Sequence, residues 1–245
     1  MSDMQKPDVL ITWPSGCDYP LCRAQLSTFR RFFGDIIVTF YDHGTPDFRD
    51  FIKGAHKDWR FAYSPIINEM WREAAVTVGL NESKSEEVLF TEQDFFWKDD
   101  QFLETVEKAR EKFDIVGIKQ VNRLHPAFLR TSRALIEKTE KDFSVRGQDK
   151  DHFQKFSEQA LAVGSCIDLR DLGLFEGRDW YHFSSLTWNL FRIKDDNIRE
   201  MHDLPEFLLY NAYSRTKKVK QDPRWLAMTF YTETLLTKFG RFLNL

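Results

Sequence analysis

Two carboxylates inside an apolar run are the side chains of this sequence best suited to chemistry. Glu92 and Asp94 stand two positions apart in Val88-Leu89-Phe90-Thr91-Glu92-Gln93-Asp94-Phe95-Phe96-Trp97. A buried carboxylate needs a compensating partner, and a divalent cation is the simplest one. Side chains two apart in an extended segment point the same way, so both can reach one ion, with Gln93 on the opposite side. Mg²⁺ and Mn²⁺ take oxygen ligands and are commonly completed by substrate phosphates. We therefore predict a site for Mn²⁺ or Mg²⁺, with Asp94 as the principal ligand and Glu92 as its partner.

The elements that must position this pair alternate between strand and helix patterns. Residues 87–96, which carry the pair, read as a buried strand because they are almost continuously apolar. Segments 9–13, 36–41, 59–63 and 114–119 also read as strands, and segments 19–33, 68–80 and 99–112 read as helices. This alternation predicts an α/β fold with a mainly parallel sheet flanked by helices.

Polar residues follow three of the predicted strands. Thr12 stands near the end of the first, Asp42 follows the second, and Glu92 and Asp94 lie near the end of the strand in the opening run. Ligands of parallel sheets bind beyond the carboxyl ends of the strands. We therefore expect these residues to meet at one rim of the sheet.

The second half of the sequence is less regular. Segments 126–140 and 150–163 contain helical patterns, and residues 203–245 read as helical or irregular. The predicted organisation is a catalytic domain over residues 1–200 and a helical C-terminal extension over residues 201–245 that packs on it.

Composition bounds the class of protein. The chain has 245 residues, of which 42% are hydrophobic and 15% aromatic, enough for a large core. Its net charge of -3 argues against broad non-specific nucleic-acid binding. Its 3 cysteines have no metal-ligand spacing, so we expect reduced thiols in a cytoplasmic protein. No apolar run approaches the ~18 residues of a transmembrane segment.

The motif Glu92-Gln93-Asp94 resembles the acidic Asp-x-Asp signature of the GT-A-fold glycosyltransferases, and the chain is similar to glycosyltransferase family two. Segments 7–13 and 21–33 look like the first strand and helix of that family. His125-Pro126-Ala127-Phe128-Leu129 resembles its acceptor-side segment, and Trp180-Tyr181-His182-Phe183-Ser184-Ser185 resembles its late histidine segment. The resemblance covers about residues 7 to 190.

The resemblance implies a GT-A-like catalytic domain that moves a hexosyl or pentosyl unit from a nucleotide-diphosphate donor to a hydroxyl acceptor. It implies that His182 is a further metal ligand, which would favour Mn²⁺ over Mg²⁺. Donor contacts are expected from four residues, with Arg72 on the diphosphate: Thr12, Asp42, Arg72 and Glu92. Arg123 and His125 are expected on the acceptor side. The structural alternatives are a core histidine at 182, a solvated helix face at Arg72, and loop residues at 123 and 125.

The sequence departs from the family pattern in two ways. Glu92 stands where Asp is more usual, which leaves open a direct metal contact, a water-mediated contact or a ribose contact. A catalytic acid pair is not evident either. Asp149 and Asp151 stand at the start of a helical pattern, where one of them can act as the general base or simply cap the helix. If neither is the base, another acid acts or the enzyme retains configuration.

Two other functions compete with glycosyl transfer. A nucleotidyltransferase would carry a Gly-rich basic loop after its first strand, whereas Pro14-Ser15-Gly16-Cys17-Asp18-Tyr19 has one Gly and no Lys or Arg. A non-catalytic domain of the same fold would bind a sugar or a partner without turnover. The acceptor is expected to be a glycan or, less favoured, a nucleic acid or another polymer, which the basic segment 215–220 can contact unless it is only a solvated face.

Overall fold

The protein is described by a computed structural model that covers residues 5–14, 20–41, 58–63, 71–93, 95–120, 123–143 and 153–182. Its centre is a seven-stranded sheet, and a separate two-stranded sheet lies beside it. The strands are β1 (Asp8–Pro14), β2 (Ile36–Tyr41), β3 (Arg60–Tyr63), β4 (Glu87–Glu92), β5 (Phe95–Trp97), β6 (Ile115–Gln120), β7 (Arg123–Ser132), β8 (Cys166–Asp168) and β9 (Trp180–His182).

The large sheet has the order β3-β2-β1-β4-β7-β6-β8. Strands β1 to β4 run parallel in their pairs, and β8 runs parallel to β6. Strand β7 is inserted antiparallel between β4 and β6. The predicted α/β fold with a mainly parallel sheet flanked by helices is therefore confirmed.

Helices cover the sheet at both faces. They are α1 (Pro20–Thr28), α2 (Trp71–Glu82), α3 (Asp100–Arg110), α4 (Arg133–Ile136) and α5 (Gln154–Val163), with 3-10 helices at Arg30–Phe32 and Leu169–Leu172. The Asp99 side chain caps α3 by accepting a hydrogen bond from Phe102 N at 3.1 Å. None of these helices is long and apolar enough to cross a membrane.

Alternating residues of β1 pack into two hydrophobic cores, one on each face of the sheet. Val9, Ile11 and Trp13 belong to a cluster that includes residues of α1, α3 and the small sheet. Leu10 belongs to a second cluster, which lies under α2, α4 and α5. Both faces are covered, so the central strands are apolar on both sides, as parallel sheets require.

The predicted continuous strand over 87–96 is wrong in its second half. Strand β4 ends at Glu92, Gln93 is a turn residue, and β5 begins at Phe95 in the other sheet. The run stays apolar across the break because β5 is also buried, in the same core cluster as Val9, Ile11 and Trp13. Hydrophobicity alone does not distinguish one buried strand from two.

The helical pattern predicted over 126–140 is also largely wrong. Residues up to Ser132 form β7, and only Arg133–Ile136 are helical. The pairing of β7 with β4 and β6 overrides the local pattern, because a central position supplies two sets of strand hydrogen bonds. The helix predicted over 19–33 ends at Thr28 and is followed by the short 3-10 helix.

Candidate active site

Three side chains form a row across adjacent strands at the carboxyl-end rim. Thr12 of β1 is paired in register with Thr39 of β2 on one side and with Glu92 of β4 on the other. Residues in register on neighbouring strands place their side chains on the same face of the sheet. The register therefore brings Glu92 beside Thr12, which were predicted from sequence, and adds Thr39, which was not.

Glu92 makes a direct contact with His182. Nε2 of His182 lies 3.0 Å from Oε2 of Glu92, and the two side chains are 10% and 6% exposed. A carboxylate oxygen and an imidazole nitrogen are thus held together in a largely buried setting at the sheet rim. The contact joins two of the three residues that were predicted as metal ligands.

The small sheet is what brings His182 to Glu92. Strands β5 and β9 are antiparallel, with Phe95 opposite His182 and Trp97 opposite Trp180. Phe95 stacks on Trp180 with a centroid distance of 5.3 Å and packs on Phe128 of β7 at 5.0 Å. The aromatic residues of β5, which follow the acidic motif, therefore hold in place strand β9, which carries His182.

His125 lies against the same histidine. The rings of His125 and His182 meet edge to face with centroids 5.1 Å apart. Nδ1 of His125 accepts a hydrogen bond from Ala127 N at 3.1 Å, so in the neutral ring the proton is on Nε2. His125 thus extends the polar cluster from β4 onto β7.

Arg123 lies two positions before His125 on β7. It pairs in register with Gln120 of β6, and its Nη2 donates to the Gln120 side-chain oxygen. Arg123 and His125 share one face of the strand, because side chains two apart point the same way. The two residues therefore lie together at one rim. They belong to a strand, so the alternative that they are loop residues is wrong.

Several predicted residues lie outside the described part of the chain: Asp42, Asp94, Asp149 and Asp151. Arg72 belongs to α2, but its side chain is not among those described. Within the described residues, no group of three or more His, Cys, Asp or Glu side chains is arranged to hold a metal ion. Glu92 and His182 are therefore a pair, and Asp94 stays a prediction.

Sequence reasoning missed two polar residues next to this site. Thr39, which is 1% exposed, lines a small recess together with Thr12 and Gly79. Gln25 of α1 bonds the backbone of β5. Gln25 carries no signal in the sequence, whereas Thr39 is detectable as a hydroxyl in an otherwise apolar strand, Ile36-Ile37-Val38-Thr39-Phe40-Tyr41.

Solved structures match this fold. The mannosyltransferase PcManGT from Pyrobaculum calidifontis in complex with GDP-Man and Mn²⁺ matches with a TM-score of 0.51 at 12% identity, over 98% of this chain and 73% of that chain. S. aureus TarS in complex with UDP-GlcNAc matches with a TM-score of 0.51 at 14% identity, over 91% of this chain and 79% of that one. The resemblance to GT-A-fold nucleotide-sugar transferases is thereby confirmed at the level of the fold.

A third match is partial. The bifunctional IspDF from Campylobacter jejuni aligns with a TM-score of 0.46 at 13% identity, over 67% of this chain, and the chain spans 49% of that protein. No family model matches the sequence, and no curated protein matches it.

Proposed function

We propose that this protein is a metal-dependent glycosyltransferase that moves a hexosyl or pentosyl unit from a nucleotide-diphosphate donor to a hydroxyl acceptor. The observation that carries the proposal is the contact between Glu92 and His182 at the carboxyl-end rim of a GT-A-like sheet. A parallel sheet binds its ligands at that rim.

The residues present fit a divalent cation. Glu92 supplies a carboxylate oxygen and His182 an imidazole nitrogen, and their reactive atoms already lie 3.0 Å apart. This donor set suits Mn²⁺ better than Mg²⁺, which prefers oxygen ligands alone. We propose Asp94 as the remaining protein ligand. Such a cation, when bound, supplies charge neutralisation for the departing diphosphate.

The chain's own residues bind and orient the donor. Thr12 stands beside Glu92 in register, and we propose that its hydroxyl contacts a donor held at the rim. We propose that Asp42 contacts the nucleoside and that Arg72 of α2 contacts the diphosphate, for which a guanidinium is well suited. PcManGT with GDP-Man and TarS with UDP-GlcNAc support a nucleotide-sugar donor without fixing its base or sugar.

The acceptor is proposed to bind on the β7 side of the pair. His125 and Arg123 share a face of that strand, and His125 touches His182. In this arrangement the acceptor hydroxyl would approach the donor from the side opposite β1. We propose that Asp151, or alternatively Asp149, accepts the proton of that hydroxyl.

We further propose that residues 1–200 are the catalytic unit and that residues 201–245 are an extension packed on it. We also propose that the acceptor is a glycan or, less favoured, a nucleic acid or another polymer. The thiols of Cys22 and Cys166 are free, which suits the reducing cytoplasm in which we propose the protein acts.

A thermal-shift screen of nucleotide diphosphates and nucleotide sugars, with and without Mn²⁺, tests the function. A ligand that binds only the native state raises the melting temperature, so one nucleotide class should produce a metal-dependent increase. Glu92→Gln and His182→Gln should abolish that increase, whereas Glu86→Gln, at an exposed position just before β4, should preserve it.

The same variants separate the alternatives. A metal-dependent shift together with sugar transfer or donor hydrolysis identifies an enzyme. Binding of a sugar or a partner that is independent of metal and unchanged in Glu92→Gln or in Asp94→Ala would indicate a non-catalytic domain and overturn the proposal.

A further inference from the structure

Gln25 of α1 makes two hydrogen bonds to the backbone of β5. Its Nε2 donates to Phe95 O at 3.3 Å, and its Oε1 accepts from Trp97 N at 3.1 Å. The residue is only 9% exposed, and its neighbours Cys22 and Leu26 belong to the core beneath it. The buried Gln25 side chain thus hydrogen-bonds backbone groups 70 and 72 positions further along the chain.

This pair of bonds occupies the outer edge of β5. In a strand, backbone groups two residues apart point to the same edge, so Phe95 O and Trp97 N face one edge together. The other edge faces β9, and the pairing continues one residue beyond β5, where Lys98 N donates to Asp179 O at 2.9 Å. The Gln25 carboxamide therefore supplies one donor and one acceptor at the place where a third strand would supply them.

The strand held in this way supports the proposed metal ligands. Phe95, whose carbonyl Gln25 binds, lies opposite His182 in β9. His182 in turn contacts Glu92, the last residue of β4. The chain of contacts runs from α1 through β5 to His182, and every step of it is buried or largely buried.

We propose that Gln25 is a positioning residue for the Glu92–His182 pair, a role that rests on the proposed function of that pair as a metal site. Helix α1 contacts β5 through the Gln25 side chain. The Gln25 carboxamide holds β5 in one position against α1. Because β9 pairs with β5, the position of β5 also determines where His182 lies. Loss of the carboxamide releases one edge of a two-stranded sheet, and such a sheet has little stability of its own.

The test is Gln25→Met, which keeps the length of the side chain and removes its donor and acceptor. The amide exchange of Trp97 and the imidazole NMR signals of His182 are recorded without metal or nucleotide, and Mn²⁺ affinity is measured by calorimetry. We expect the Trp97 amide to exchange about tenfold faster, as loss of one hydrogen bond predicts. We also expect the His182 signals to shift and Mn²⁺ to bind about tenfold more weakly, the usual effect of changing a residue that orients a ligand.

The matched control is Leu26→Val, which removes packing from the same helix and leaves the Gln25 carboxamide in place. At an equal loss of melting temperature, it should leave the His182 signals and the Mn²⁺ affinity unchanged. If Gln25→Met does not fold, Gln25→Asn replaces it, because an amide one methylene shorter cannot span both backbone groups.

Equal effects of the Gln25 and Leu26 variants on His182 and on Mn²⁺ affinity would overturn the positioning role, as would unchanged exchange at Trp97. The exchange and imidazole measurements use the protein alone. If the unaltered protein binds no nucleotide sugar and no Mn²⁺, the proposed function fails, while a His182 signal that depends on Gln25 still shows the positioning contact.

Discussion

Nε2 of His182 lies 3.0 Å from Oε2 of Glu92, although 90 positions of sequence separate the two residues. The contact depends on a break in the apolar run. Strand β4 ends at Glu92, and the chain then enters a second sheet whose partner strand ends at His182. If residues 87–96 formed one continuous strand, as hydrophobicity predicts, β5 would not pair with β9 in a second sheet. His182 would then not be held beside Glu92.

Replacement of His182 should weaken metal binding without unfolding the protein. We expect His182→Gln to reduce Mn²⁺ affinity at least tenfold, since changes to residues that merely orient ligands already cost tenfold or more. Calorimetric titration with Mn²⁺ measures this affinity. His125→Phe is the matched control, because it keeps the ring contact and should leave Mn²⁺ affinity close to normal while raising the KM for the acceptor. Mn²⁺ affinity that drops equally in both variants would argue against His182 as a ligand.

Arg130 should contribute more to stability than any exposed ion pair. Its side chain is fully buried and forms bidentate bonds of 2.9 Å to Glu107, and it also pairs with Glu87. Arg130→Met should lower the free energy of unfolding by about 3 kcal/mol, because two carboxylates lose their buried partner. Chemical denaturation measures the loss.

Arg31→Met provides the comparison for Arg130. Arg31 pairs with Asp100 at the surface, where both side chains are well exposed. We expect a loss below about 1 kcal/mol, since solvent and salt screen such pairs. Equal losses in the two variants would show that the buried network is not what stabilises this part of the sheet.

Two buried threonines on the central sheet should respond in opposite ways to replacement by valine. Oγ1 of Thr91 donates to Ala127 O at 3.0 Å, whereas Oγ1 of Thr39 is buried and has no hydrogen-bond partner in the described structure. Thr39→Val removes an unsatisfied hydroxyl and should stabilise the fold by about 1 kcal/mol. Thr91→Val removes a buried hydrogen bond to the Ala127 carbonyl and should destabilise the fold by a similar amount. Thermal denaturation of both variants compares them, and a stabilised Thr91→Val would contradict the assignment.

Asp168, the last residue of β8, should make the free energy of unfolding fall in acid. Burial alone would raise the pKa of this carboxyl, but hydrogen bonds from the Arg170 side chain and backbone and from Lys119 N outweigh it and lower the pKa. A lowered pKa in the folded state stabilises the protein above the unfolded-state value of about 3.9, and that contribution is lost as the pH falls through the folded value.

Asp168→Asn measures this contribution. The variant should be less stable than the unaltered protein at pH 7, and the difference should shrink below about pH 4, where the carboxylate of the unfolded chain begins to be protonated. Asp171→Asn, at an exposed position in the adjacent 3-10 helix, should show no such difference. A stability difference for Asp168→Asn that is constant between pH 7 and pH 3 would exclude the electrostatic explanation.

The sequence alone determined the larger framework and one half of the site. The alternation of apolar strands with amphipathic helices predicted the α/β sheet, because each element's hydrophobic period reflects its own burial. It also predicted that Thr12 and Glu92 lie at one rim, because the ends of adjacent parallel strands coincide. Glu92 was identifiable because a carboxylate is out of place in an apolar run.

The resemblance implied that His182 belongs with Glu92, but only the tertiary structure decided how the histidine reaches that carboxylate and which other residues lie beside it. The break after β4, the strand character of 123–132 and the in-register placement of Thr39 all depend on pairing between distant segments. The Gln25 contact depends on the same kind of pairing. A hydrogen bond between residues 70 or 90 positions apart leaves no periodic pattern in the local sequence. Whether it forms depends on where the partner strand lies and not on the neighbouring residues along the chain.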